Sequence, residues 1–207
     1  MSKKINKFFI IGLYTIFCVI VNFFFNHLVI FVLKVPLFLD TIGTVAVTFA
    51  FGWIPGAICA ILTTFIDSLI GSYFLQLPCL YVLCSLLAVG ITQIFKTHIY
   101  DSSSVGIKIS YLFILSIIMC ILISLLGGII DSLCITFSSY KGDFPVASDY
   151  FKPNFFQIGF SQLGTNILSR LPVNIIDRPI TVFTAYGAVE LCKKIIHSKK
   201  DNYGQSN

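Results

Sequence analysis

The chain has 207 residues, of which 57% are hydrophobic and only 11% are charged, and its formal net charge is +5. Soluble domains carry about 25% charged residues, so this composition excludes a soluble globular protein and indicates an integral membrane protein. The basic residues lie in short clusters beside apolar runs. Such clusters are typical of membrane topology signals, and they argue against a nucleic-acid-binding surface.

Apolar runs of about 20 residues predict helices that cross a membrane. Six are predicted, at residues 8–33, 37–53, 55–74, 77–95, 107–136 and 171–196. The first run is too long for the core of a signal peptide and has no obvious cleavage site, so we expect a retained helix. Pro55 and Gly56 form the turn that separates the second helix from the third.

The longest polar loop, residues 138–154, precedes the last predicted helix, which contains Pro179. The overlapping stretch 146–160 is compatible with a lid, an interfacial helix or a disordered loop. The first seven residues and the tail after Ile196 are too short to fold alone. The sequence therefore predicts a single transmembrane domain that covers residues 1–207.

The lysines indicate how this domain is oriented, because cytoplasmic loops carry an excess of basic residues. With both termini in the cytoplasm, the lysines on the inner side are Lys3, Lys4, Lys7, Lys96, Lys108, Lys193, Lys194, Lys199 and Lys200. Those on the outer side are Lys34, Lys141 and Lys152. The predicted fold is thus an all-α integral membrane six-helix bundle in the cell membrane, with both termini cytoplasmic.

Ionisable residues within apolar helices are costly in lipid and commonly mark functional sites. In this orientation the acids in the outer halves of the helices are Asp40, Asp67, Asp131 and Asp177. Polar neighbours three and four residues apart put each acid on a polar stripe, and such stripes should face inward. We predict an outward-facing, solute-binding chamber formed by Asp40, Asp67, Asp131, Asn174, Asp177 and Arg178, with Arg170 just before the last helix.

Two interpretations of these charges stay open. The aspartates and arginines could pair across helices and hold the bundle together. Alternatively, four acids against two arginines leave negative charge for a cationic or zwitterionic solute, while Arg178 takes a carboxylate or phosphate on the same ligand. Aromatic residues near the outer ends could stack on a flat ring, or could anchor the interface and pack the core. They are Phe38, Tyr73, Phe74 and Tyr81.

Other chemistry has little support in the sequence. The three histidines lie in separate segments, and no zinc-protease, nucleophile-elbow or phosphate-binding-loop motif is present. We therefore predict no catalytic residue, no metal site and no cofactor. The seven cysteines form no C-x-x-C pair and lie mostly in apolar runs, where they are expected to act as small buried hydrophobic residues.

The stretch "PLFLDTIGTVAVTFAFGWIPGAICAILTTFIDSLIG" at 36–71 resembles the second and third helices of substrate-binding S components of energy-coupling factor (ECF) transporters. In that family an apolar residue, Asp, a small residue and Gly precede a Gly/Pro turn and a Gly- and Ala-rich helix. The stretch "RLPVNIIDRPITVFTAYGAVELCKKI" at 170–195 is similar to the family's last helix. The resemblance implies a six-helix bundle that captures a vitamin-like solute on the outer side.

The resemblance also implies partners, namely a transmembrane coupling subunit and two cytoplasmic ATPases. Many S components dock through an Ala-x-x-x-Ala pair on the first helix, whereas the one such pair here is Ala46–Ala50 on the second. Gly56–Ala60 offers another face of small residues. The predicted function is a non-enzymatic, solute-capturing subunit of an ATP-driven importer. The alternatives are a ligand-sensing membrane module and a stand-alone proton-coupled carrier, although no internal repeat supports the carrier.

Overall fold

The computed structural model describes residues 2–70, 76–137 and 147–204, and these ranges contain helices and no strand. The α-helices are α1 (Ser2–His27), α2 (Ile42–Phe51), α3 (Trp53–Ile70), α4 (Val82–Asp101), α5 (Val105–Phe137), α6 (Lys152–Ile158) and α7 (Gln162–Gly204). A π-helical turn, Leu28–Leu33, continues α1, and 3₁₀ turns at Leu77–Tyr81 and Ala147–Tyr150 precede α4 and α6.

Four helical segments of the described chain are long and apolar enough to cross a membrane. They are Lys7–Leu33, Trp53–Ile70, Leu77–Asp101 and Val105–Phe137. Large apolar side chains cover their outward faces, as Phe17 on α1 and Ile117 on α5 do, and a surface of this kind suits lipid. The predicted all-helical, membrane-embedded class is therefore confirmed. The count of six crossings and the cytoplasmic termini stay predictions.

The second predicted helix is shorter than expected. Instead of covering 37–53, α2 has 10 residues, and residues 34–41 before it are not helical. Eight of its residues, 42–49, are buried, since α2 packs against α1, α3, α4 and α7. A helix that is apolar on all sides belongs in the interior of a bundle. Hydropathy alone does not distinguish such a helix from one that faces lipid.

The last predicted helix is longer than expected. Instead of covering 171–196, α7 has 43 residues and contains both Pro172 and Pro179. Its first turns include buried Thr165 and Asn166, which lie before the predicted start of the last helix at residue 171. Their burial shows that they pack inside the bundle. Residues 147–160, for which the sequence allows a lid, an interfacial helix or a disordered loop, form a 3₁₀ turn and the short helix α6.

Glycines allow α5 and α7 to approach each other closely. A Cβ atom on Gly128 would lie 2.6 Å from the Cα of Ile167, and one on Gly127 would lie 2.6 Å from a guanidinium nitrogen of Arg170. Both glycines are buried on the same face of α5 as Asp131. Small residues at such contacts let membrane helices pack backbone to backbone. This contact brings the arginine of α7 to the aspartate of α5.

A buried polar cluster holds the start of α2 between α1 and α3. The fully buried Asn22 donates hydrogen bonds to the hydroxyl oxygens of Thr44 (2.9 Å) and Thr63 (3.1 Å). Its own carbonyl oxygen accepts a hydrogen bond from the Gly43 backbone N–H at 2.6 Å. The sequence analysis did not single out Asn22, which lies in an apolar, aromatic run. Its contacts orient the N-terminal end of α2, just after Asp40.

Candidate functional site

A cavity of about 400 Å³ opens at the end of the bundle where α2 begins. Its wall combines the 34–41 segment with parts of α3, α4, α5 and α7 and with the 147–152 stretch. Small-molecule sites in proteins usually measure about 300–1,000 Å³ and combine apolar walls with a few polar groups. The volume therefore suits a small organic solute.

Four of the six predicted binding residues line this cavity, namely Asp40, Asp67, Asp131 and Arg178. Asp40 belongs to the non-helical 34–41 segment rather than to a helix, because α2 begins only at Ile42. The other two, Asn174 and Asp177, are fully buried next to the cavity and contact other protein groups. Of the four aromatic candidates, Phe38 and Tyr81 line the cavity, while Tyr73 and Phe74 lie outside the described residues.

Asp131 forms a two-point ion pair with Arg170. Arg170 Nε lies 2.7 Å from Asp131 Oδ2, and Nη2 lies 2.8 Å from Oδ1. The Tyr81 hydroxyl donates to the same carboxylate and accepts a hydrogen bond from Arg170. The guanidinium carbon also lies 5.4 Å from the ring centre of Phe38 and 5.0 Å from that of Tyr81. Asp131 on α5 is therefore paired with Arg170 on α7, and this partner balances its negative charge.

Arg178 is held through all three of its guanidinium nitrogens. Nη2 forms an ion pair with Asp177 Oδ2 at 2.7 Å. Nε donates to the Asn174 side chain at 3.1 Å, and Nη1 donates to the Thr41 hydroxyl at 2.9 Å. Asn174 in turn donates to Ser124 on α5. Binding of a ligand carboxylate or phosphate by Arg178 stays a prediction, while these contacts favour a positioning role for the residue.

Asp177 holds the cavity wall through its other oxygen. Oδ1 accepts hydrogen bonds from the backbone N–H groups of Phe38 (3.0 Å) and Leu39 (2.8 Å). Leu39 has a φ of 44° and Lys34 a φ of 51°, in the left-handed region that residues other than glycine rarely adopt. The carboxylate of α7 therefore stabilises a strained segment, and this segment carries Asp40 into the cavity.

Asp40 and Asp67 form no ion pair with any residue that the structure describes, and a backbone hydrogen bond from residue 40 itself reaches the Asp40 carboxylate. The Oδ1 atom of Asp40 is inaccessible to solvent and has no hydrogen-bond donor. Burial raises the pKa of the Asp40 carboxyl above its usual value, and the positive charge of Arg178 opposes this effect. Asp67 is half-buried on α3, on the same wall as Thr64. These two aspartates are thus chemically distinct from Asp131 and Asp177.

Three charged residues of the cavity are not among the binding residues predicted from the sequence, namely Lys34, Asp149 and Lys152. Lys34 lies at its edge, and Lys152 forms an ion pair with Asp149 at 2.6 Å. In the sequence, two of them, Lys34 and Lys152, serve only to predict the orientation of the domain in the membrane. Both had been assigned to the outer side, as the aspartates had, and the structure brings them to the same end of the bundle. Proximity in the folded chain, rather than any local motif, gathers these residues.

Comparisons with protein-family models, with curated proteins and with solved structures gave no match. The interpretation of the site therefore depends on its geometry. Within the described ranges, no three His, Cys, Asp or Glu side chains are placed to hold a metal ion. The arrangement provides a cavity open at one end, a partly apolar wall, two arginines in ion pairs and two carboxylates without an ion pair among the described residues. Such a site can bind and orient a small molecule.

Proposed function

We propose that the protein is the substrate-capturing membrane subunit of an ATP-driven importer of a vitamin or similar small solute. The cavity at the start of α2 is the observation that carries this proposal. It has the volume of a small-molecule site, and its wall includes helices long and apolar enough to cross a membrane. Solute binds there from the outer side in the orientation that the lysines predict.

The resemblance to S components of ECF transporters supports the same function. The two stretches that carry it, 36–71 and 170–195, both contribute charged residues to the cavity, Asp40 and Asp67 from the first and Arg170 and Arg178 from the second. Charged residues from both stretches that resemble the family therefore line the same cavity. In this proposal the partners are a transmembrane coupling subunit and two cytoplasmic ATPases, which supply the energy for import.

Purification from the protein's own host tests this proposal. The tagged, gently solubilised protein is examined by native mass spectrometry, and we expect two ATPases, a coupling subunit and a bound small molecule to be recovered with it. After reconstitution of the whole assembly in vesicles, uptake of that molecule should require ATP. A variant ATPase with a disabled nucleotide site should abolish uptake and leave solute binding intact. Recovery of a bare chain without partners would contradict the proposal.

A stand-alone proton-coupled carrier is the second candidate, and the Asp40–Asp67 pair favours it. Two carboxylates that form no ion pair with a described residue can exchange a proton as a solute binds. In that case vesicles containing only this chain would accumulate solute when a pH gradient is imposed, and Asp67→Asn would abolish accumulation. A ligand-sensing module would bind solute but would not transport it under either condition.

A further inference from the structure

The acidic and basic side chains around the cavity nearly balance in number, and the difference between them indicates the charge of a suitable ligand. The carboxylates in its lining are Asp40, Asp67, Asp131 and Asp149, and the cationic groups are Lys34, Lys152, Arg170 and Arg178. A fifth carboxylate, Asp177, lies behind the wall and is paired with Arg178. When all these groups are ionised, five negative charges face four positive ones. Among the residues that the structure describes, the site therefore has an excess of one negative charge.

Pairing shows where this excess lies. Three ion pairs join Asp131 to Arg170, Asp177 to Arg178 and Asp149 to Lys152. Lys34 has no ion pair with a described residue and lies at the exposed edge of the cavity, where its charge offsets one of the two carboxylates that are left. The groups left inside are Asp40 and Asp67, which both line the cavity. The uncompensated charge therefore belongs to these two carboxylates.

Asp40 gives independent evidence that a donor is missing at this position. One of its carboxylate oxygens is inaccessible to solvent, and no N–H or O–H group of the described chain reaches it. An uncompensated carboxylate in such surroundings is energetically expensive. An ammonium group of a ligand between Asp40 and Asp67 would supply both a positive charge and hydrogen-bond donors.

The arginines argue against a ligand that also carries an anionic group. A ligand carboxylate would need free guanidinium donors for a two-point contact. Arg170 already binds Asp131 and Tyr81 through Nε and Nη2, and each nitrogen of Arg178 has a protein partner, so neither guanidinium presents two unoccupied neighbouring nitrogens for such a contact. The apolar part of the wall includes Ile30, Leu37, Ile123 and Ile135. It suits an uncharged, apolar ligand body.

We propose that the cavity selects an organic ammonium ion with a single positive charge, an apolar body and no anionic group, and that Asp67 and Asp40 bind its charged end. This inference rests on the proposed function only in taking the cavity as the solute site. It narrows the substrate class from a cationic or zwitterionic solute to a monocation. It also assigns Arg170 and Arg178 to positioning the wall rather than to binding the ligand.

Matched probes test the inference on the full chain in lipid nanodiscs. The probes are primary amines from ethylamine to 2-phenylethylamine, the carboxylates propionate and 3-phenylpropionate, and the zwitterion phenylalanine. Binding is measured by isothermal titration and by the shift in melting temperature. We expect binding of amines alone, and Asp67→Asn should weaken it roughly ten- to hundredfold. Asp101→Asn, the same change at an exposed site outside the cavity lining, should leave affinity unchanged.

A second measurement needs no aspartate variant. Cys84 and Cys134 line the cavity, whereas Cys192 is exposed elsewhere. The bound amine should slow maleimide labelling of the first two cysteines and leave labelling of Cys192 unchanged. Preferred binding of carboxylates or phenylalanine would overturn the inference. So would an absence of amine binding across the series, or affinity that is unchanged in Asp67→Asn.

The outcome also separates this inference from the importer proposal. Recovery of ATPases together with a bound anion would support import and overturn the monocation inference. Selective binding of amines by a chain that recruits no ATPase would support the monocation inference and contradict the importer proposal.

Discussion

Asp131 and Asp67 lie on different helices and line the same cavity, yet their surroundings differ. Asp131 accepts hydrogen bonds from Arg170 and Tyr81 and is almost completely buried. Asp67 has no such partner in the described part of the chain and keeps part of its surface open. At the residue scale, one carboxylate stabilises the folded chain, while the other is available to a ligand.

Asp131→Asn should therefore destabilise the protein strongly. The substitution leaves the charge of Arg170 buried without its partner, and breaking a buried ion pair in this way lowers the free energy of unfolding by about 3–5 kcal/mol. Reversible unfolding in mixed detergent micelles measures the change. Asp67→Asn is the matched control, and we expect its ligand-free stability to equal or exceed that of the wild type. An Asp131→Asn protein as stable as the wild type would contradict this account.

At the element scale, two contacts shape the site. The close approach of α5 and α7 brings Arg170 to Asp131. The short helix α2 is held at both ends, because Asn22 binds its start and the ammonium group of Lys96 donates to the Thr48 carbonyl oxygen near its end. The 34–41 segment is thus joined to a core helix that is fixed in place, and this arrangement positions Asp40.

Gly128→Ala should weaken the α5–α7 contact. The new methyl carbon would lie 2.6 Å from backbone atoms of Ile167, so the helices must separate, and overpacking of this kind costs about 1–3 kcal/mol. Gly90→Ala is the control, since its methyl group would meet no atom within 4 Å. Because alanine favours helix more than glycine does, the control should be neutral or up to about 1 kcal/mol more stable. Equal melting temperatures for both variants would exclude close packing at Gly128.

At the scale of the whole molecule, the charged residues fall at two ends. The cavity end gathers the aspartates with Lys34 and Lys152. At the other end, Lys96 lies near the end of α2, and the ammonium group of Lys193 lies 3.8 Å from the ring centre of Tyr100. The lysine pattern predicts that the second end faces the cytoplasm.

Reporter fusions to each terminus test this orientation. In bacterial cells, we expect fluorescence from a green fluorescent protein fused to either end, because both termini are predicted to be cytoplasmic. Alkaline phosphatase fusions, which are active only outside the cytoplasm, serve as the opposite control and should be inactive at both ends. Activity at one terminus alone would mean an odd number of crossings. The ten-residue α2 would then be the first element to reconsider as a crossing.

The sequence by itself determined the helical, membrane-embedded class, because hydropathy and helical periodicity are local properties of the chain. It also predicted that Asp40, Asp67, Asp131 and Arg178 meet, since intramembrane charges must face the interior of a bundle. It did not reveal the core position of α2, since burial in protein and burial in lipid require the same apolar residues.

Only the tertiary structure decided which charges are compensated. Asp131 and Arg170 are 39 residues apart, and the backbone N–H of Phe38 lies 139 residues from its acceptor on Asp177. Electrostatic compensation depends on distances of a few ångströms between groups that no local pattern relates. For that reason four similar aspartates in the sequence became two ion-pair partners, Asp131 and Asp177, and two carboxylates with no ion pair in the described part of the chain, Asp40 and Asp67.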